Sequence, residues 1–300
     1  MWTKENIPNQ AGKTVIVTGA NAGIGYETAL ALYEKGAHVV LACRDIKKAN
    51  AAAEAILRTE SEGSVEILEL DLSDLESVKA AANTFKSKHQ KLDLLINNAG
   101  VMVPPASKTA QGFELQFGTN VLGHYAFTGY LFPLLKATPQ SRIVTVSSLV
   151  YTRGTMDYTN LKLEKEYDAN REYAQSKLGN LLFTLELQRR IEKADNEVLS
   201  VASHPGVTGT ELARYISKEE FNNIIKVYGE LMEPWQGALP SLYAAINTNT
   251  KGGDFIGPDQ DGGLRGYPVK AEVIPVVLNE AEAKKLWEFA EDATGVVYSF

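Results

Sequence analysis

The segment TVIVTGANAGIG, Thr14–Gly25, carries the strongest structural signal in this 300-residue chain. Its apolar and β-branched start predicts a buried strand, and a segment of helical periodicity follows directly from Gly23 to Lys35. Gly19, Gly23 and Gly25 follow a GxxxGxG spacing in the connecting turn. Glycines permit positive φ and close backbone approach there, and the next helix N-terminus offers free N–H groups to an anion. The segment therefore predicts a strand–turn–helix unit that binds a dinucleotide pyrophosphate, with a ligand-free glycine-rich turn as the alternative.

The first two-thirds of the chain repeats this alternation of strand and helix. Further apolar strand-like runs, separated by helix-like segments, are HVVLACR, SVEILELD, LDLLINNAG, RIVTVSS and EVLSVASHPG. Continuous apolar strands that alternate with helices indicate a parallel sheet covered on both faces, and right-handed crossovers make it a doubly wound α/β sheet of the Rossmann type. No Pro/Ser-rich linker and no repeat interrupts the chain, so we expect one domain over residues 1–300.

The C-terminal third has a looser rhythm and predicts an elaboration of that core. We assign residues 13–206 to the cofactor-binding and catalytic core, and residues 207–300 to a substrate lid, a last strand and a closing helix. The elements expected there are helices over Thr210–Met232 and Trp235–Asn247, a short strand in GGDFIGP, a polar loop PDQDGGLRGYP and a helix over Lys284–Asp292. The apolar residues of the lid segment fit either a substrate lining or ordinary helix packing.

Composition and charge narrow the class of partner. The chain carries 30 Lys and Arg residues against 37 Asp and Glu, and this formal net charge of −7 argues against nucleic-acid or anionic-membrane binding. Its single cysteine, Cys43, cannot form an internal disulfide, and its four histidines show no ligand spacing, so no metal site is expected. No apolar run approaches the roughly 18 residues of a membrane span. These features predict a soluble, cytoplasmic protein without a membrane anchor.

The end of the second predicted strand bears on the choice of dinucleotide. NAD binders place Asp or Glu there to hold the ribose hydroxyls, whereas this chain has Cys43 followed by Arg44. Because a guanidinium binds a phosphate and no carboxylate repels it, the sequence favours NADP(H), with Arg44 on the 2′-phosphate. A pairing of Arg44 with Asp45 or a helix carboxylate is the alternative. Asp71, which ends the third strand, fits either an adenine contact or a cap of the helix that begins near Ser73.

Two tyrosine–lysine pairs have the four-residue spacing that places both side chains on one face of a helix. Tyr173 and Lys177 open a sustained apolar-periodic helix. Tyr158 and Lys162 lie in a segment whose pattern predicts an irregular loop. Proton transfer beside a nicotinamide needs a rigidly held pair, so Tyr173 and Lys177 are the functional candidates.

Five motifs in this chain resemble those of the short-chain dehydrogenase/reductase family and occur in the family's order up to Thr210. TGANAGIG resembles the cofactor loop of that family. The others are NNAG at Asn97–Gly100, TVSS at Thr145–Ser148, YAQSK at Tyr173–Lys177 and HPGVTGT at His204–Thr210. Together the five motifs are far more specific than any one of them.

The resemblance implies direct hydride transfer between a nicotinamide and a substrate carbinol carbon. It implies that Tyr173 moves the proton, with a pKa lowered by Lys177 and the oxidised nicotinamide, and that Ser148 hydrogen-bonds the substrate oxygen. Strand alternation turns only one of the neighbouring serines toward the substrate, and the family uses the second, so Ser148 is preferred over Ser147. Asn120 matches an asparagine that helps to hold a proton-relay water, although a local helix kink explains it as well. The implied cofactor-binding residues are Gly19, Asn21, Gly23, Ile24, Gly25, Arg44, Asp71, Leu72, Asn98, Ala99, Gly100, Tyr173, Lys177, Pro205, Gly206, Val207 and Thr210.

The long separation of Ser148 from Tyr173 resembles the retinol-dehydrogenase-like branch of the family. This similarity implies an apolar small-molecule ketone, aldehyde or alcohol as substrate, and it leaves assembly into a homo-oligomer open. One alternative is reduction of a ring C=C bond, as in light-dependent protochlorophyllide reductase, but that enzyme depends on further cysteines. The other is a nonenzymatic NADP-sensing protein, which is disfavoured because all four catalytic positions are filled.

Overall fold

The framework of the molecule is one eight-stranded sheet, seen in a computed structural model that describes residues 1–300. The strands are β1 Thr14–Thr18, β2 His38–Cys43, β3 Ser64–Glu69, β4 Leu94–Asn97, β5 Arg142–Val146, β6 Leu199–Ser203, β7 Phe255–Gln260 and β8 Arg265–Lys270. Their order is β3-β2-β1-β4-β5-β6-β7-β8, and every neighbouring pair is parallel except β7 and β8. This order confirms the predicted doubly wound α/β fold in a single domain.

Helices connect the strands and cover both faces of the sheet. They are α1 Gly23–Glu34, α2 Ile46–Leu57, α3 Leu75–Lys88, α4 Leu115–Phe117, α5 His124–Ala137, α6 Ala169–Lys193, α7 Lys218–Tyr228, α8 Pro234–Ile246 and α9 Glu280–Thr294. A π-helical turn, Gly118–Gly123, joins α4 to α5. Short 3-10 helices lie at Lys4–Asn6, Leu149–Arg153, Glu211–Tyr215, Asp261–Gly263 and Pro275–Leu278. None of the helices combines the length and the apolar character that a membrane crossing requires.

The alternation of side chains along the strands builds two cores, one on each face of the sheet. In β1, Val15 and Val17 point into a core shared with α1, α2 and α8, whereas Ile16 points into a core shared with α3, α5, α6 and α9. All three side chains are completely buried. Because helices cover both faces, the middle of each central strand is apolar on both sides, as the continuous apolar runs of the sequence predict.

The lid departs from the single helix predicted over Thr210–Met232. It opens with the 3-10 helix Glu211–Tyr215, and α7 then begins at a capping box. There the Ser217 hydroxyl accepts a hydrogen bond from the Glu220 N–H (3.2 Å), and the Glu220 carboxylate accepts one from the Ser217 N–H (2.9 Å). The helix ends at Gly229, whose φ of 75° is in the left-handed region. These start and stop signals divide the segment, so the prediction of one continuous helix was wrong.

The predicted polar loop PDQDGGLRGYP was wrong, because most of it forms the antiparallel β7–β8 hairpin. Pro258 lies opposite Pro268 in this pairing. Pro268 is tolerated because β8 is the edge strand, and Pro258 lies beyond the pairing of β7 with β6, which ends at Ile256. At the hairpin turn the Leu264 carbonyl accepts a hydrogen bond from the Val207 N–H (2.8 Å). The hairpin therefore supports the chain where it leaves β6.

The closing helix α9 is longer than predicted and completes one of the two cores. It begins at Asn279, whose side chain accepts hydrogen bonds from the next N–H groups, and ends at Gly295. Its Trp287 ring lies 5.1 Å from the Tyr125 ring and 4.7 Å from the Tyr298 ring. The Tyr298 hydroxyl donates to the Tyr125 carbonyl (2.6 Å). The C-terminal third thus supplies core as well as lid.

Replacing Trp287 by Ala should lower the free energy of unfolding by about 3–5 kcal/mol, because truncating a buried indole leaves a large cavity. Trp287 is 2% exposed, whereas Trp235 is 45% exposed and provides a matched control. Trp235→Ala should change the free energy of unfolding by no more than about 0.5 kcal/mol. Urea unfolding followed by circular dichroism measures both variants, and equal losses would contradict the assignment of α9 to the core.

Candidate active site

A cleft of about 670 Å³ opens at the carboxyl ends of the central strands. This is where ligands bind in open α/β sheets, because the loops leaving the strands diverge there. Every predicted catalytic and cofactor-binding residue lines this cleft except Asn120. The structure therefore brings together residues from five distant parts of the sequence at one site.

The turn after β1 is shaped to receive an anion at the start of α1. Gly19 and Gly23 have φ values of 67° and 56°, which favour glycine. A Cβ atom at Gly25 would lie 2.4 Å from the Asn98 Nδ2 atom, so a larger residue would push α1 away from the loop after β4. The residue before the helix, Ala22, supplies no side-chain cap, and the first N–H groups of α1 remain available. These residues fit a dinucleotide pyrophosphate.

The end of β2 presents a cation to the cleft and buries its thiol. Cys43 is 2% exposed, and burial raises the pKa of its thiol to about 11. The Arg44 side chain is 65% exposed and lines the cleft, with Nη1 4.0 Å from Asp71 Oδ2. This loose exposed pair leaves the guanidinium accessible to a ligand. The predicted alternative, a pairing of Arg44 with Asp45 or a helix carboxylate, is not seen, since the one ion pair of Arg44 is with Asp71.

Asp71 and Lys48 complete the surroundings of Arg44. Asp71 Oδ1 accepts hydrogen bonds from the Ser73 N–H (2.9 Å) and the Ser73 hydroxyl (2.6 Å), so this oxygen closes the turn before α3. Lys48, on α2, also lines the cleft, and its Nζ lies 3.9 Å from Glu211 Oε2 in the lid. Lys48 is a cleft residue that was not predicted from sequence. Its position in the first turn of α2, four residues after Arg44, was the available signal.

The two serines that follow β5 point in opposite directions, as strand alternation predicts. Ser147 is 2% exposed, and its hydroxyl donates to the Lys177 carbonyl on α6 (2.7 Å). Both serines border the cleft, but the Ser148 hydroxyl is not bound to α6 and accepts only a long hydrogen bond from the Val150 N–H (3.4 Å). Because the Ser147 hydroxyl is already bonded to α6, the Ser148 hydroxyl is the one of the two that remains available to a ligand.

Tyr173 and Lys177 lie one turn apart on α6 and are both buried at the wall of the cleft. The Lys177 Nζ atom lies 5.7 Å from the centre of the Tyr173 ring and donates a hydrogen bond to the Val146 carbonyl (3.1 Å). Burial raises the pKa of Tyr173 to about 12, although the interaction with the Ser148 hydroxyl opposes this rise. Burial also lowers the pKa of Lys177 to about 8. The protein alone therefore favours the neutral form of both groups more than water does.

Asn120 lies behind the cleft wall and does not line the cleft. Its side-chain oxygen accepts from the Val101 N–H (2.9 Å), and its amide nitrogen donates to the Val101 carbonyl (3.0 Å) and to the Ser176 hydroxyl (3.0 Å). Its own carbonyl accepts from His124 Nδ1 (3.0 Å). It belongs to the π-helical turn before α5, and its side-chain hydrogen bonds join this turn to the loop after β4 and to α6.

Tyr158, the rejected tyrosine, lies outside the cleft against α9. Its hydroxyl donates to the Glu282 carbonyl (3.5 Å), and its ring packs on Phe289 with Lys285 Nζ 4.2 Å from the ring centre. Lys162 contacts the Phe113 ring instead of Tyr158. Of the two tyrosine–lysine pairs, only Tyr173 and Lys177 face the cleft.

The lid and the turn after β6 close the cleft on its outer side. At this turn the Val207 N–H is already bonded to Leu264, so it is not free for a ligand in this conformation. Thr210 lines the cleft, and its hydroxyl accepts from the Leu212 N–H (3.3 Å). The aliphatic and phenylalanine side chains of the lid that line the cleft are Leu212, Ala213, Ile216, Phe221, Ile224 and Leu231. Ile225 and Met232 do not contribute to this lining.

These features are typical of an oxidoreductase that uses a nicotinamide dinucleotide. They are the glycine turn, the cationic end of β2 and the group Ser148, Tyr173 and Lys177. Comparison with known proteins agrees, because the family model for short chain dehydrogenases matches residues 13–220. The chain belongs to the short-chain dehydrogenase/reductase family and is similar to its retinol dehydrogenases.

The relatives cover nearly the whole chain. Retinol dehydrogenase 11 from Homo sapiens is 41% identical over 290 residues, which span 95% of this chain and 86% of that protein. Retinol dehydrogenase 14 from Mus musculus is 38% identical over 95% of this chain and 87% of that protein. A crystal structure of an uncharacterised protein from Mycobacterium paratuberculosis superposes with a TM-score of 0.84 at 37% identity, covering 100% of this chain and 99% of that one. The Pseudomonas aeruginosa RhlG/NADP complex shares the fold, with a TM-score of 0.67 at 22% identity, over 85% of this chain and 96% of that one.

The buried Lys177 should make the stability of the ligand-free protein depend on pH. Lys177 has a pKa of about 8 in the folded protein and an ordinary value of 10.5. Below pH 8 the folded protein holds a buried charge, and this cost lowers its stability. Between pH 8 and 10.5 Lys177 loses its proton in the folded state only, so the free energy of unfolding rises with pH. Lys177→Met should remove this rise. Relative to wild type, the variant's free energy of unfolding should fall by about 3 kcal/mol across this interval.

Urea unfolding at pH values between 7.5 and 10 measures this difference. Lys284→Met is the matched control, because its side chain is 64% exposed and its removal should leave the pH profile of wild type unchanged. A Lys177→Met profile parallel to that of wild type would contradict the proposed cost of burying the charge.

Proposed function

We propose that this protein is an NADP(H)-dependent oxidoreductase that interconverts an apolar ketone or aldehyde and its alcohol. The observation that carries the proposal is the convergence of Ser148, Tyr173 and Lys177 in a cleft whose other side presents Arg44. The named relatives are retinol dehydrogenases, and a structural neighbour was solved with NADP. Both support this reading of the cleft.

The residues of the cleft suit an NADP(H) molecule along its length. The free N–H groups at the start of α1 and the glycine turn would hold the pyrophosphate. Arg44 and Lys48 would hold the 2′-phosphate, and position 43 is a cysteine, so no carboxylate there repels the phosphate. Lys177 would hold the ribose hydroxyls, and the nicotinamide would then lie next to Tyr173, which is beside Lys177.

The side chains at that wall would handle the proton and the substrate oxygen. The bound nicotinamide would supply or accept the hydride. In reduction, the Tyr173 hydroxyl donates its proton to the developing alkoxide, and the Ser148 hydroxyl hydrogen-bonds the same oxygen. In oxidation, Tyr173 must be a phenolate in order to accept the proton of the alcohol. The positive charge of Lys177 stabilises that phenolate. With a pKa of about 12 in the protein alone, Tyr173 is well suited to the donor role.

The lid favours an apolar substrate. Six aliphatic or phenylalanine side chains of residues 211–231 line the same cleft as Tyr173. Burying apolar area against them stabilises a complex by about 25 cal/mol per Å². A panel of aliphatic and aromatic ketones, small polar aldehydes and retinaldehyde, followed by NADPH absorbance, tests the class. Turnover of the polar aldehydes but not of the apolar carbonyls would overturn the substrate assignment.

Tyr173→Phe should lower kcat by at least about 10²–10⁴-fold, because the variant keeps the ring and loses only the transferable proton. NADPH affinity, measured by fluorescence titration, should change little. Tyr158→Phe is the matched control and should retain wild-type kcat, since that hydroxyl contacts only the Glu282 carbonyl outside the cleft. Loss of activity in Tyr158→Phe with retention in Tyr173→Phe would reverse the assignment.

Arg44→Ala should reduce kcat/KM for NADPH by roughly tenfold or more, and kcat/KM for NADH only slightly. A hydrogen bond to a charged group contributes about 1.5–3 kcal/mol, and the exposure of Arg44 places it at the low end of that range. Adding Lys48→Met should further narrow the preference for NADPH over NADH. Cys43→Asp with Arg44→Ala should reverse it, because the new carboxylate would hold the ribose hydroxyls and repel a phosphate.

Both cofactors should be measured on one ketone at fixed ionic strength, because salt screens the contact with the phosphate. Lys47→Met is the matched control for Lys48→Met, since Lys47 is an exposed neighbour that does not line the cleft. Equal use of NADPH and NADH by the wild-type enzyme would contradict the cofactor assignment while leaving the catalytic one intact.

A further inference from the structure

Two histidines and a glutamate meet near the amino ends of β2 and β3, at the opposite end of these strands from the cleft. His38 opens β2, Glu66 lies in β3, and His89 follows the last residue of α3. His38 Nε2 lies 3.4 Å and His89 Nε2 lies 2.9 Å from the same atom, Glu66 Oε2. The three atoms lie within 4.8 Å of one another. The fold thus assembles a cluster that no local spacing in the sequence reveals.

The orientation of the two imidazole rings is fixed by neighbouring side chains. His38 Nδ1 lies 2.7 Å from the Ser64 hydroxyl, and its Nε2 is buried without a hydrogen-bond partner. The His89 ring stacks on Phe85 with ring centres 4.4 Å apart and an interplanar angle of 21°. When His38 Nδ1 donates to Ser64, its Nε2 directs a lone pair at a carboxylate oxygen. Two acceptors that face each other in this way are satisfied by a shared cation.

We propose that His38, Glu66 and His89 form a binding site for a divalent ion of the zinc type, with water as the fourth ligand. Imidazole nitrogens and a carboxylate oxygen are ligands that Zn²⁺ binds in proteins. Bonds of about 2.0–2.1 Å in a tetrahedral site place the ligand atoms about 3.4 Å apart. The observed separations of 2.9 and 3.4 Å are close to this value. The expectation from sequence that the chain has no metal site is replaced by this proposal.

The position of the site points to a structural role. An ion there would tie the starts of β2 and β3 to the end of α3, far from Tyr173 and Lys177. Lys88 is a competitor for the carboxylate, because its Nζ lies 2.7 Å from Glu66 Oε1. Its side chain is 53% exposed and can move into solvent when an ion binds. The proposal is independent of the oxidoreductase function proposed above.

Calorimetric titration of untagged, EDTA-treated protein with ZnCl₂ tests the site, with the Tm as a second readout. We expect one saturable site per chain and an increase in Tm, because the ion binds the folded protein in preference to the unfolded one. His38→Gln, His89→Gln and Glu66→Gln should each weaken binding by more than about tenfold. Glu69→Gln is the matched control, since Glu69 is an exposed carboxylate of the same strand and should leave the affinity unchanged.

Lys88→Met keeps all three ligands and tests the geometry without disturbing them. It should tighten zinc binding, because the competing ammonium group is removed from Glu66. The absence of saturable binding by wild-type protein overturns the proposal, as does unchanged affinity in the His38→Gln/His89→Gln double variant. Equal or weaker binding by Lys88→Met contradicts it as well. The zinc-free Tm of each variant shows whether a loss of binding reflects a loss of folding.

Discussion

The hydroxyl of Thr18, at the end of β1, holds together the elements that form the floor of the cleft. It accepts hydrogen bonds from the N–H groups of Asn98 and Ala99 at the end of β4, each at 2.9 Å. It also lies 2.9 Å from His124 Nε2, whose ring is buried. His124 Nδ1 must donate to the Asn120 carbonyl, so Nε2 accepts the Thr18 proton. Burial lowers the pKa of His124 to about 4, which keeps this arrangement neutral.

The same hydrogen bonds continue from the cofactor loop to the helix that carries the tyrosine. Asn120 Nδ2 donates to the Ser176 hydroxyl (3.0 Å), which in turn donates to the Tyr173 carbonyl (2.8 Å). The cofactor side and the proton-transfer side of the cleft therefore share one buried polar support. Such a network positions its members well only when every donor and acceptor is paired. A substitution of His124 or Ser176 would leave a buried group unpaired, so these positions are as constrained as those that face the cleft.

Local patterns predicted most of the fold, whereas long-range contacts were beyond them. The glycine turn, the apolar strands and the Tyr173–Lys177 spacing are encoded within short segments, because strand and helix periodicity acts over a few residues. The pairing of Thr18 with His124 and the meeting of His38 with His89 join distant segments, so their histidines looked scattered. The β8 strand was missed because its Gly and Pro content is typical of loops, and only pairing with β7 shows that it is an edge strand.

The two titratable groups of the cleft illustrate how burial prepares a site before a ligand arrives. The pKa of Lys177 is lowered and the pKa of Tyr173 is raised. Both shifts favour the neutral form, because the wall around the two side chains excludes water. A neutral tyrosine is the form required of a proton donor in carbonyl reduction. The reverse reaction requires a positive charge close to the ring, and the chain provides one in the Lys177 ammonium, 5.7 Å from the ring centre. On the proposed function, the chain by itself is better prepared for reduction than for oxidation.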